Sequence, residues 1–253
     1  MKQALLLVSF GTAAPGAQSS ITAVENALVA AAPDRAVFRA YTSPTIRRIL
    51  ARRGVEMPDL TTALETLAAQ GYEDVALQPT HVIPGFEYDR IRAEAEIFAP
   101  KFARLRLGTP LLWDVADLTE LAEHAAQRWL PEEGALVLLG HGTEHRADLI
   151  YPALAGALRC AGADNALVGT VEGWPGFDGV LSMLRRGGWH RVCLRPLLLT
   201  AGEHARSDMA GEQPGSWKSR LEAEGFAVDC CLEGMGSDEA VQKMYCRHLR
   251  AIL

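Results

Sequence analysis

The chain has 253 residues, of which 49% are hydrophobic and 22% are charged, and it carries a formal net charge of −6 at pH 7. This composition is typical of a globular protein with one large core or two smaller ones, and it argues against disorder. The negative charge, with no local run of Lys and Arg, excludes the electrostatic footprint of a nucleic-acid-binding protein.

Apolar runs of strand length alternate with amphipathic helical stretches, which is the pattern of parallel sheets covered by helices on both faces. In chain order, the predicted strands are Ala4–Ser9, Ala36–Tyr41, Asp74–Gln78, Arg104–Leu107, Ala135–Leu139, Leu167–Val171, Arg191–Leu199 and Ala227–Leu232. The predicted helices are Ser20–Ala31, Leu60–Gln70, Tyr88–Phe98, Asp117–Trp129, Ala147–Cys160, Asp178–Arg186, Trp217–Glu224 and Ser237–Ile252. The pattern predicts an α/β fold of two similar flavodoxin-like lobes, residues 1–115 and 116–253. In such sheets, ligands bind beyond the carboxyl ends of the strands.

Neither the first residues nor the cysteines indicate export or a membrane partner. The apolar run from Ala4 to Val8 is too short for a signal-peptide core or a membrane span. The five cysteines are odd in number, and no pair has the CxxC or CxxH spacing of a zinc site. We therefore expect a cytoplasmic protein without a disulfide framework.

One strand-to-loop unit occurs twice in the chain. The strand Asp74–Pro79 is followed by Gly85 at the same spacing as Arg191–Pro196 is followed by Gly202. A chance match of strand, proline and glycine is a poor explanation, so the two lobes are predicted to be copies of one unit.

The copies differ where the second one carries histidine. The run Leu5–Thr12 resembles Leu136–Thr143, and Phe10 of the first run corresponds to His141 of the second. By the spacing of the strand-to-loop unit, Glu87 corresponds to His204. The gain of two strand-end histidines predicts that metal or proton-transfer chemistry lies in the C-terminal half.

Three ionisable side chains of the second lobe follow predicted strands. His141 and Glu172 each come directly after a strand, and His204 lies shortly beyond another. Alone, each histidine could be a simple loop residue, and the glutamate a solvated or capping carboxylate. Because adjacent parallel strands lie about 5 Å apart, however, the three can meet at one rim. Two imidazoles and a carboxylate suit a divalent first-row metal.

Other polar residues near the strand ends have less specific expectations. His145 is expected on the surface, with Thr143 as a helix cap, and the alternative is a contact between His145 and a metal ligand. His81 is expected to be a hydrogen-bonded loop residue, with a role in ligand binding as the alternative. Glu87 is a candidate auxiliary carboxylate. The loop Phe10–Gly16 lacks both the Walker lysine and the GxGxxG pattern, so no nucleotide cofactor is expected.

Several segments together resemble the class II tetrapyrrole chelatases, and among them the anaerobic sirohydrochlorin cobaltochelatases of the CbiK type. The segments that carry the resemblance are Leu6–Thr12, Gly140–Gly142, Val171–Glu172, Ala201–Ala210 and Ser216–Lys218. The resemblance implies two lobes with a cleft between them, and insertion of Co²⁺ into sirohydrochlorin on the way to cobalamin, without ATP. It also implies that His141, Glu172 and His204 bind the metal and are catalytic. One departure is Gly202-Glu203-His204, where the family often has Gly-Asp-His.

The substrate carries many carboxylates, so an acidic protein must hold it through local groups. We expect these among the loop residues Phe10, Gly11 and Thr12, together with Glu87, Arg206, Arg47, Arg48 and Arg146. Three alternatives stay open: insertion of Fe²⁺ or Ni²⁺ instead of Co²⁺, a non-catalytic carrier of metal or tetrapyrrole, and a metal-dependent hydrolase. The sequence is compatible with a homo-oligomer and does not fix the number of subunits.

Overall fold

The computed structural model describes residues 1–14, 16–202 and 205–253. Within these residues, the strands form two parallel sheets of four strands each. The first sheet contains β1 (Gln3–Ser9), β2 (Ala36–Tyr41), β3 (Asp74–Pro79) and β4 (Arg104–Leu107), in the order β2-β1-β3-β4. The second contains β5 (Ala135–Gly140), β6 (Ala166–Thr170), β7 (Arg191–Pro196) and β8 (Ala227–Cys230), in the order β6-β5-β7-β8.

Helices connect the strands of each sheet. The α-helices are α1 (Gln18–Ala31), α2 (Pro44–Arg52), α3 (Leu60–Ala69), α4 (Phe86–Phe98), α5 (Val115–Arg128), α6 (Ile150–Cys160), α7 (Phe177–Gly187), α8 (Trp217–Ala223) and α9 (Glu239–Arg250). None of the helices in the described part of the chain combines the length and apolar character needed to span a bilayer.

The two sheets share their register as well as their strand order. Val8 of β1 pairs with Pro79 of β3, and Leu139 of β5 pairs with Pro196 of β7. The central strands β1 and β5 are almost completely buried, since helices cover both faces of each sheet. The predicted fold class, two similar α/β lobes with parallel sheets in the flavodoxin-like order, is confirmed.

The chain divides into two compact units, and the second is inserted in the sequence of the first. The first unit is Met1–Trp113 with Gly236–Leu253, and the second is Asp114–Met235. This division differs from the predicted lobes in its last segment, because α9 packs on α1 in the first unit. The hydroxyl of Tyr245 on α9 also donates a 2.8 Å hydrogen bond to the carbonyl of Thr80.

Predicted and observed elements agree in kind at every predicted strand, and their ends differ by a few residues. The helix α2 is not among the predicted elements, although Ser43 and Pro44 form a typical helix start. The Ser43 hydroxyl accepts a hydrogen bond from the N–H of Ile46, and no residue of α2 is fully buried. Ile46, Ile49 and Leu50 have the spacing of one helix face, but their side chains are only partly buried.

The amino ends of the strands in the first unit hold a buried ion cluster. Asp74, with a side chain 2% exposed, lies 3.1 Å from the guanidinium of Arg35 and 2.9 Å from that of Arg106. The corresponding residue of the second unit is Arg191, which forms an exposed pair with Asp229. The amino edges of the two units are therefore built differently, and the corresponding carboxyl edges carry the residues of functional interest.

Candidate metal centre

His141 stands at the carboxyl end of β5, in a turn that glycines make possible. Gly142 has a φ of +83°, which side chains other than glycine rarely adopt. Gly140 packs on the ring of Tyr151, because a Cβ at residue 140 would lie 2.2 Å from a ring carbon. Burial raises the pKa of Tyr151 to about 12, so its hydroxyl stays protonated and accepts a 3.3 Å hydrogen bond from the Gly142 N–H. This packing fixes the backbone that presents His141.

Glu172 follows β6 and lies beside His141. Its backbone N–H donates a 2.8 Å hydrogen bond to the His141 carbonyl, which continues the pairing of β5 and β6 past their ends. The carboxylate oxygen of Glu172 is 3.7 Å from Nδ1 of His141. The Glu172 side chain is 67% exposed and the His141 side chain is 37% exposed. The structure thus brings together two of the three predicted metal ligands at an open rim.

This geometry permits two uses of the pair. A metal about 2.1 Å from both donor atoms would hold them about 3.4 Å apart in tetrahedral coordination, close to the observed separation. Alternatively, Nδ1 carries a proton and donates to the Gly142 carbonyl at 3.1 Å. Nε2 then becomes the ligand atom, and Glu172 orients the ring.

A small apolar pocket lies against His141 in the second unit. Its walls include Leu139, Val171, Leu198 and Met209. An apolar wall lowers the local dielectric beside the imidazole and strengthens its interaction with a charged group. The pocket is too small for a macrocycle, so it shapes the floor of the rim rather than a substrate cavity.

The third predicted ligand, His204, lies outside the described residues, as does Glu203. Within residues 1–14, 16–202 and 205–253, no group of three His, Cys, Asp or Glu side chains is arranged to hold a metal. The assignment of His141, Glu172 and His204 as the metal and catalytic residues therefore stays a prediction.

The first unit has the same backbone arrangement without the ligands. Phe10 takes the place of His141, and the backbone N–H of Ser43 donates to the Phe10 carbonyl at 3.3 Å, as Glu172 does to His141. Ser43 is buried as the cap of α2, and Phe10 is 51% exposed. Glu87, which corresponds to His204, lies 3.1 Å from the guanidinium of Arg90. Within the described residues, the pair of His141 imidazole and Glu172 carboxylate lies at the rim of the second unit.

The predicted substrate contacts in the first loop differ in how accessible they are. Phe10 presents an exposed ring, whereas Gly11 packs against Tyr41, whose ring carbon would be 2.4 Å from an added Cβ. Thr12 is buried, and its hydroxyl accepts a 3.2 Å hydrogen bond from the Ala14 N–H. Thr12 therefore shapes the loop, and its backbone is the part that could meet a ligand.

The candidate arginines are also of two kinds. Arg48, Arg146 and Arg206 are exposed, and Arg206 lies in the π-helical turn Ala205–Met209. Arg47 lies 3.3 Å from the carboxylate of Asp59, so this guanidinium already has an anionic partner. The exposed arginines are the better candidates for holding substrate carboxylates, and their role stays a prediction.

Two expectations about other histidines are corrected. His145, expected as a surface residue, caps a short 3₁₀ turn, because its Nδ1 accepts a 3.1 Å hydrogen bond from the Ala147 N–H. Thr143, expected to be the cap, instead accepts from the His145 N–H at 3.1 Å.

His81, expected to be hydrogen-bonded through its ring, has two buried ring nitrogens with no hydrogen-bond partner among the described residues. Burial lowers the pKa of His81 to about 4, so the ring is neutral near neutral pH. Its backbone carbonyl accepts a 3.0 Å hydrogen bond from the Leu111 N–H. The loop is therefore satisfied through its backbone rather than through the imidazole.

Tyr151 and Asp148 hold the loops of the candidate site and are not among the residues predicted from the sequence. Asp148 accepts hydrogen bonds from both loops, one that follows β5 and one that follows β6. The available signal was an acidic residue and an aromatic one at the start of the helix after Gly140-His141-Gly142. A helix start is an ordinary place for both residue types, so the pattern alone does not indicate a function.

Comparisons with known proteins identify the family of this chain. The family model for cobalt chelatase (CbiK) matches residues 3–253. The sirohydrochlorin cobaltochelatase of Salmonella typhimurium is 40% identical over 257 residues, covering 100% of this chain and 97% of that protein. The sirohydrochlorin cobaltochelatase CbiKC of Nitratidesulfovibrio vulgaris is 34% identical over 256 residues, covering 99% of this chain and 90% of that protein.

The structure of SirB from Bacillus subtilis with Fe³⁺ has the same fold, with a TM-score of 0.67 at 18% identity. The match covers 100% of this chain and 96% of SirB. The family match and the two full-length relatives lead to the same conclusion: this chain belongs to the CbiK family of cobalt chelatases.

Proposed function

We propose that this chain is an enzyme that inserts Co²⁺ into sirohydrochlorin, without ATP, in anaerobic cobalamin biosynthesis. The observation that carries the proposal is the 3.7 Å approach of His141 and Glu172 at the carboxyl rim of the second sheet. The name of the Salmonella typhimurium relative, 40% identical over the whole chain, supplies the metal and the tetrapyrrole.

The reaction exchanges protons for a metal ion. Two pyrrole N–H groups lose their protons, Co²⁺ takes the place of both, and two protons leave the macrocycle. A catalyst must therefore hold the ion and accept protons. An imidazole suits both tasks, because its ordinary pKa of about 6.5 leaves most of it neutral at neutral pH. We assign ion binding and proton acceptance to His141 and His204.

Glu172 supplies negative charge beside the imidazole. A carboxylate at the rim favours a cation over a neutral species and offsets part of the ion's charge. If Nδ1 of His141 and the Glu172 carboxylate both bind the ion, Glu172 is a direct ligand. If Nε2 of His141 is the ligand atom, Glu172 orients the His141 ring. Both uses raise the affinity for the ion, and they differ in how much affinity a neutral replacement would remove.

Substrate binding needs cationic or N–H groups, because the net charge of −6 cannot attract a polycarboxylate globally. We assign this task to Arg206 and Arg146 in the second unit and to the loop of Phe10, Gly11 and Thr12 in the first. Exposed guanidinium groups can bind carboxylates with two parallel hydrogen bonds each. Glu87, already paired with Arg90, is the weakest of the proposed substrate contacts.

The proposed compartment is the cytoplasm. All five cysteines are free thiols in the described part of the chain, and a reducing compartment keeps them so. Burial raises the pKa of Cys230 to about 11, so this thiol is protonated and a poor metal ligand near neutral pH. The Cys230 thiol therefore does not compete with the proposed histidines for Co²⁺.

The test is an anaerobic assay of sirohydrochlorin metallation with Co²⁺, Fe²⁺ and Ni²⁺ in parallel. The proposal expects multiple turnovers per protein with Co²⁺, at ion concentrations where the uncatalysed reaction is slow. A carrier would instead bind one equivalent and release no metallated product. Faster turnover with Fe²⁺ or Ni²⁺ would assign the protein to another metal, although intrinsic ligand affinity alone favours nickel over cobalt.

A further inference from the structure

The carboxylate of Asp148 ties together the two loops of the candidate metal centre. One oxygen accepts a 2.9 Å hydrogen bond from the N–H of Thr143, in the loop after β5. The other accepts a 2.8 Å hydrogen bond from the N–H of Trp174, in the loop after β6. Each loop carries one of the proposed metal residues, so the Asp148 side chain connects the loop of His141 to the loop of Glu172.

These hydrogen bonds are of the stronger kind. Their acceptor is charged, and charge-assisted hydrogen bonds are roughly twice as strong as neutral ones. Asp148 itself is held in a 3₁₀ turn, where its N–H donates to the His145 carbonyl at 2.9 Å. The carboxylate is therefore attached to a defined piece of backbone and not to a mobile segment.

Close packing of glycines accompanies the two hydrogen bonds. A Cβ added to Gly173 would lie 2.2 Å from the Asp148 carboxylate, and a Cβ added to Gly142 would lie 2.2 Å from the Gly173 nitrogen. Real Cβ atoms essentially never approach so closely, so a Cβ at residue 142 would strain the backbone and one at residue 173 would displace the Asp148 carboxylate. The two loops and the carboxylate thus form one packed seam, between His141 on one side and Glu172 on the other.

The first unit provides an internal comparison. Its loop repeats the threonine turn, since Thr12 accepts from the Ala14 N–H as Thr143 accepts from the His145 N–H. The residue five positions after Thr12 is Ala17, whereas the residue five positions after Thr143 is Asp148. Ala17 begins α1 without a side-chain hydrogen bond. The carboxylate therefore occurs in the unit that presents His141 and Glu172, and the other unit keeps the turn without it.

We propose that Asp148 is a positioning residue that fixes the His141 ring relative to the Glu172 carboxylate. The proposal rests on the proposed function, in which these two residues handle the ion. A site holds an ion well when its donors are kept within about 0.5 Å of the productive geometry. Asp148 does this through the backbone of both loops, while its own carboxylate is occupied by two N–H groups and does not bind the metal.

Two variants separate geometry from charge. Asp148→Asn leaves one acceptor oxygen and turns an NH₂ group toward the other N–H, so it opens one of the two loop contacts and removes a charge. Gly173→Ala pushes the Asp148 carboxylate away but keeps its charge. The matched controls are Asp178→Asn, with a side chain 93% exposed, and Gly179→Ala, whose added Cβ would meet only an ordinary 3.6 Å contact.

The first measurement is a Co²⁺ titration of the protein alone, followed by the absorption of the bound ion. Both test variants are expected to raise the Co²⁺ concentration for half-saturation roughly 10- to 100-fold, the usual effect of losing a group that orients a metal ligand. Both controls are expected to stay within about twofold of the unmodified protein. Amide hydrogen exchange should become faster at Thr143 and Trp174 in the test variants, while sirohydrochlorin binding, followed by absorbance, stays unchanged.

An effect of Asp148→Asn without an effect of Gly173→Ala would show that the charge matters and would overturn the positioning role. Unchanged half-saturation in both variants would overturn it as well. Unfolding of Gly173→Ala would be detected by circular dichroism, and Asp148→Asn together with amide exchange would then decide the question. If the unmodified protein bound Co²⁺ but metallated no sirohydrochlorin, the proposed function would fail while the titration still tested Asp148.

Discussion

The backbone N–H of Glu172 donates a hydrogen bond of 2.8 Å to the carbonyl oxygen of His141. This bond joins the residues that follow two adjacent parallel strands, and it brings their side chains within 3.7 Å. The pairing of β5 and β6 therefore sets the distance between the proposed metal ligands, and each ligand can be changed without removing the backbone bond.

Replacement of His141 by alanine is expected to lower the rate of Co²⁺ insertion at least about 100-fold, because it removes both a ligand and a proton acceptor. The free energy of unfolding should fall by less than about 1 kcal/mol, since the side chain is 37% exposed. The measurements are anaerobic metallation and urea unfolding, with the exposed His190→Ala as control. Near-normal turnover at low Co²⁺ would show that His141 is not a ligand.

His204→Ala is expected to reduce metallation to a similar degree. His204 lies outside the described part of the structure. The expectation therefore rests on its position in the repeated strand-to-loop unit and on the family resemblance. Activity is measured as for His141→Ala, and circular dichroism checks the fold. Loss of the fold with either alanine would favour a packing role for that histidine instead.

Glu172→Gln is expected to raise the Co²⁺ concentration for half-maximal rate tenfold or more, with little effect on sirohydrochlorin binding. A carboxylate about 4 Å from an ion interacts with each unit of its charge by about 4 kcal/mol at an effective dielectric near 20, and solvent exposure reduces this. A tenfold change requires about 1.4 kcal/mol. The exposed Glu133→Gln gives the same charge change far from the site as a control. Looser macrocycle binding with unchanged metal dependence would instead assign Glu172 to the substrate.

The sequence predicts most of the fold because most strands are short apolar runs between turn residues, and strands that alternate with helices indicate a flavodoxin-like order in each lobe. The helix α2 is not predicted, although Ile46, Ile49 and Leu50 have helical spacing, because the segment has only nine residues and three of them are arginines. The last helix is assigned to the wrong neighbour for another reason. Its amphipathic pattern shows that one face is covered, but not which unit covers it.

The candidate site shows a similar limit. His141 and Glu172 are predictable because an ionisable residue directly after a buried strand reaches the rim of the sheet. Asp148 is not, because its two acceptor contacts depend on where two separate loops come together. The sequence also does not reveal that the His81 ring has no hydrogen-bond partner among the described residues, because an unmet hydrogen bond is a property of the folded surroundings.

The buried ring of His81 is expected to make the protein less stable in mild acid. The unfolded chain binds a proton at this residue below pH 6.5, whereas the folded chain binds it only near a pKa of about 4. The unfolded state thus binds more protons in this window, so the free energy of unfolding falls as the pH drops from about 6.5 to about 4. The full effect is about 3 kcal/mol.

The measurement is urea unfolding at several pH values between 4 and 7 for the unmodified protein and for His81→Gln. The variant should lose up to that amount of the pH dependence, and the exposed His190→Gln should not. Equal pH dependence in His81→Gln and the unmodified protein would show that the ring is accessible to solvent in solution.

The buried carboxylate of Asp74 is expected to contribute more stability than the exposed carboxylate of Asp229 in the other unit. Asp74→Ala leaves Arg35, with a side chain 6% exposed, without its anionic partner and should lower the free energy of unfolding by about 3–5 kcal/mol. Asp229→Ala removes a partner of Arg191 at a site 60% exposed and should cost less than about 1 kcal/mol. Urea unfolding of the two variants gives both values, and equal losses would contradict the difference in burial.

Because Gly236–Leu253 belongs to the first unit, the two units become complete at different times during synthesis on the ribosome. Because residues 114–235 are inserted within that unit, the ribosome completes the second unit before it supplies α9 to the first. Until then α1 lacks its helical neighbour, and the carbonyl of Thr80 lacks the hydroxyl of Tyr245. The unit that begins the chain is thus the later of the two to become complete during synthesis, and the unit with the proposed metal residues has all of its own elements first.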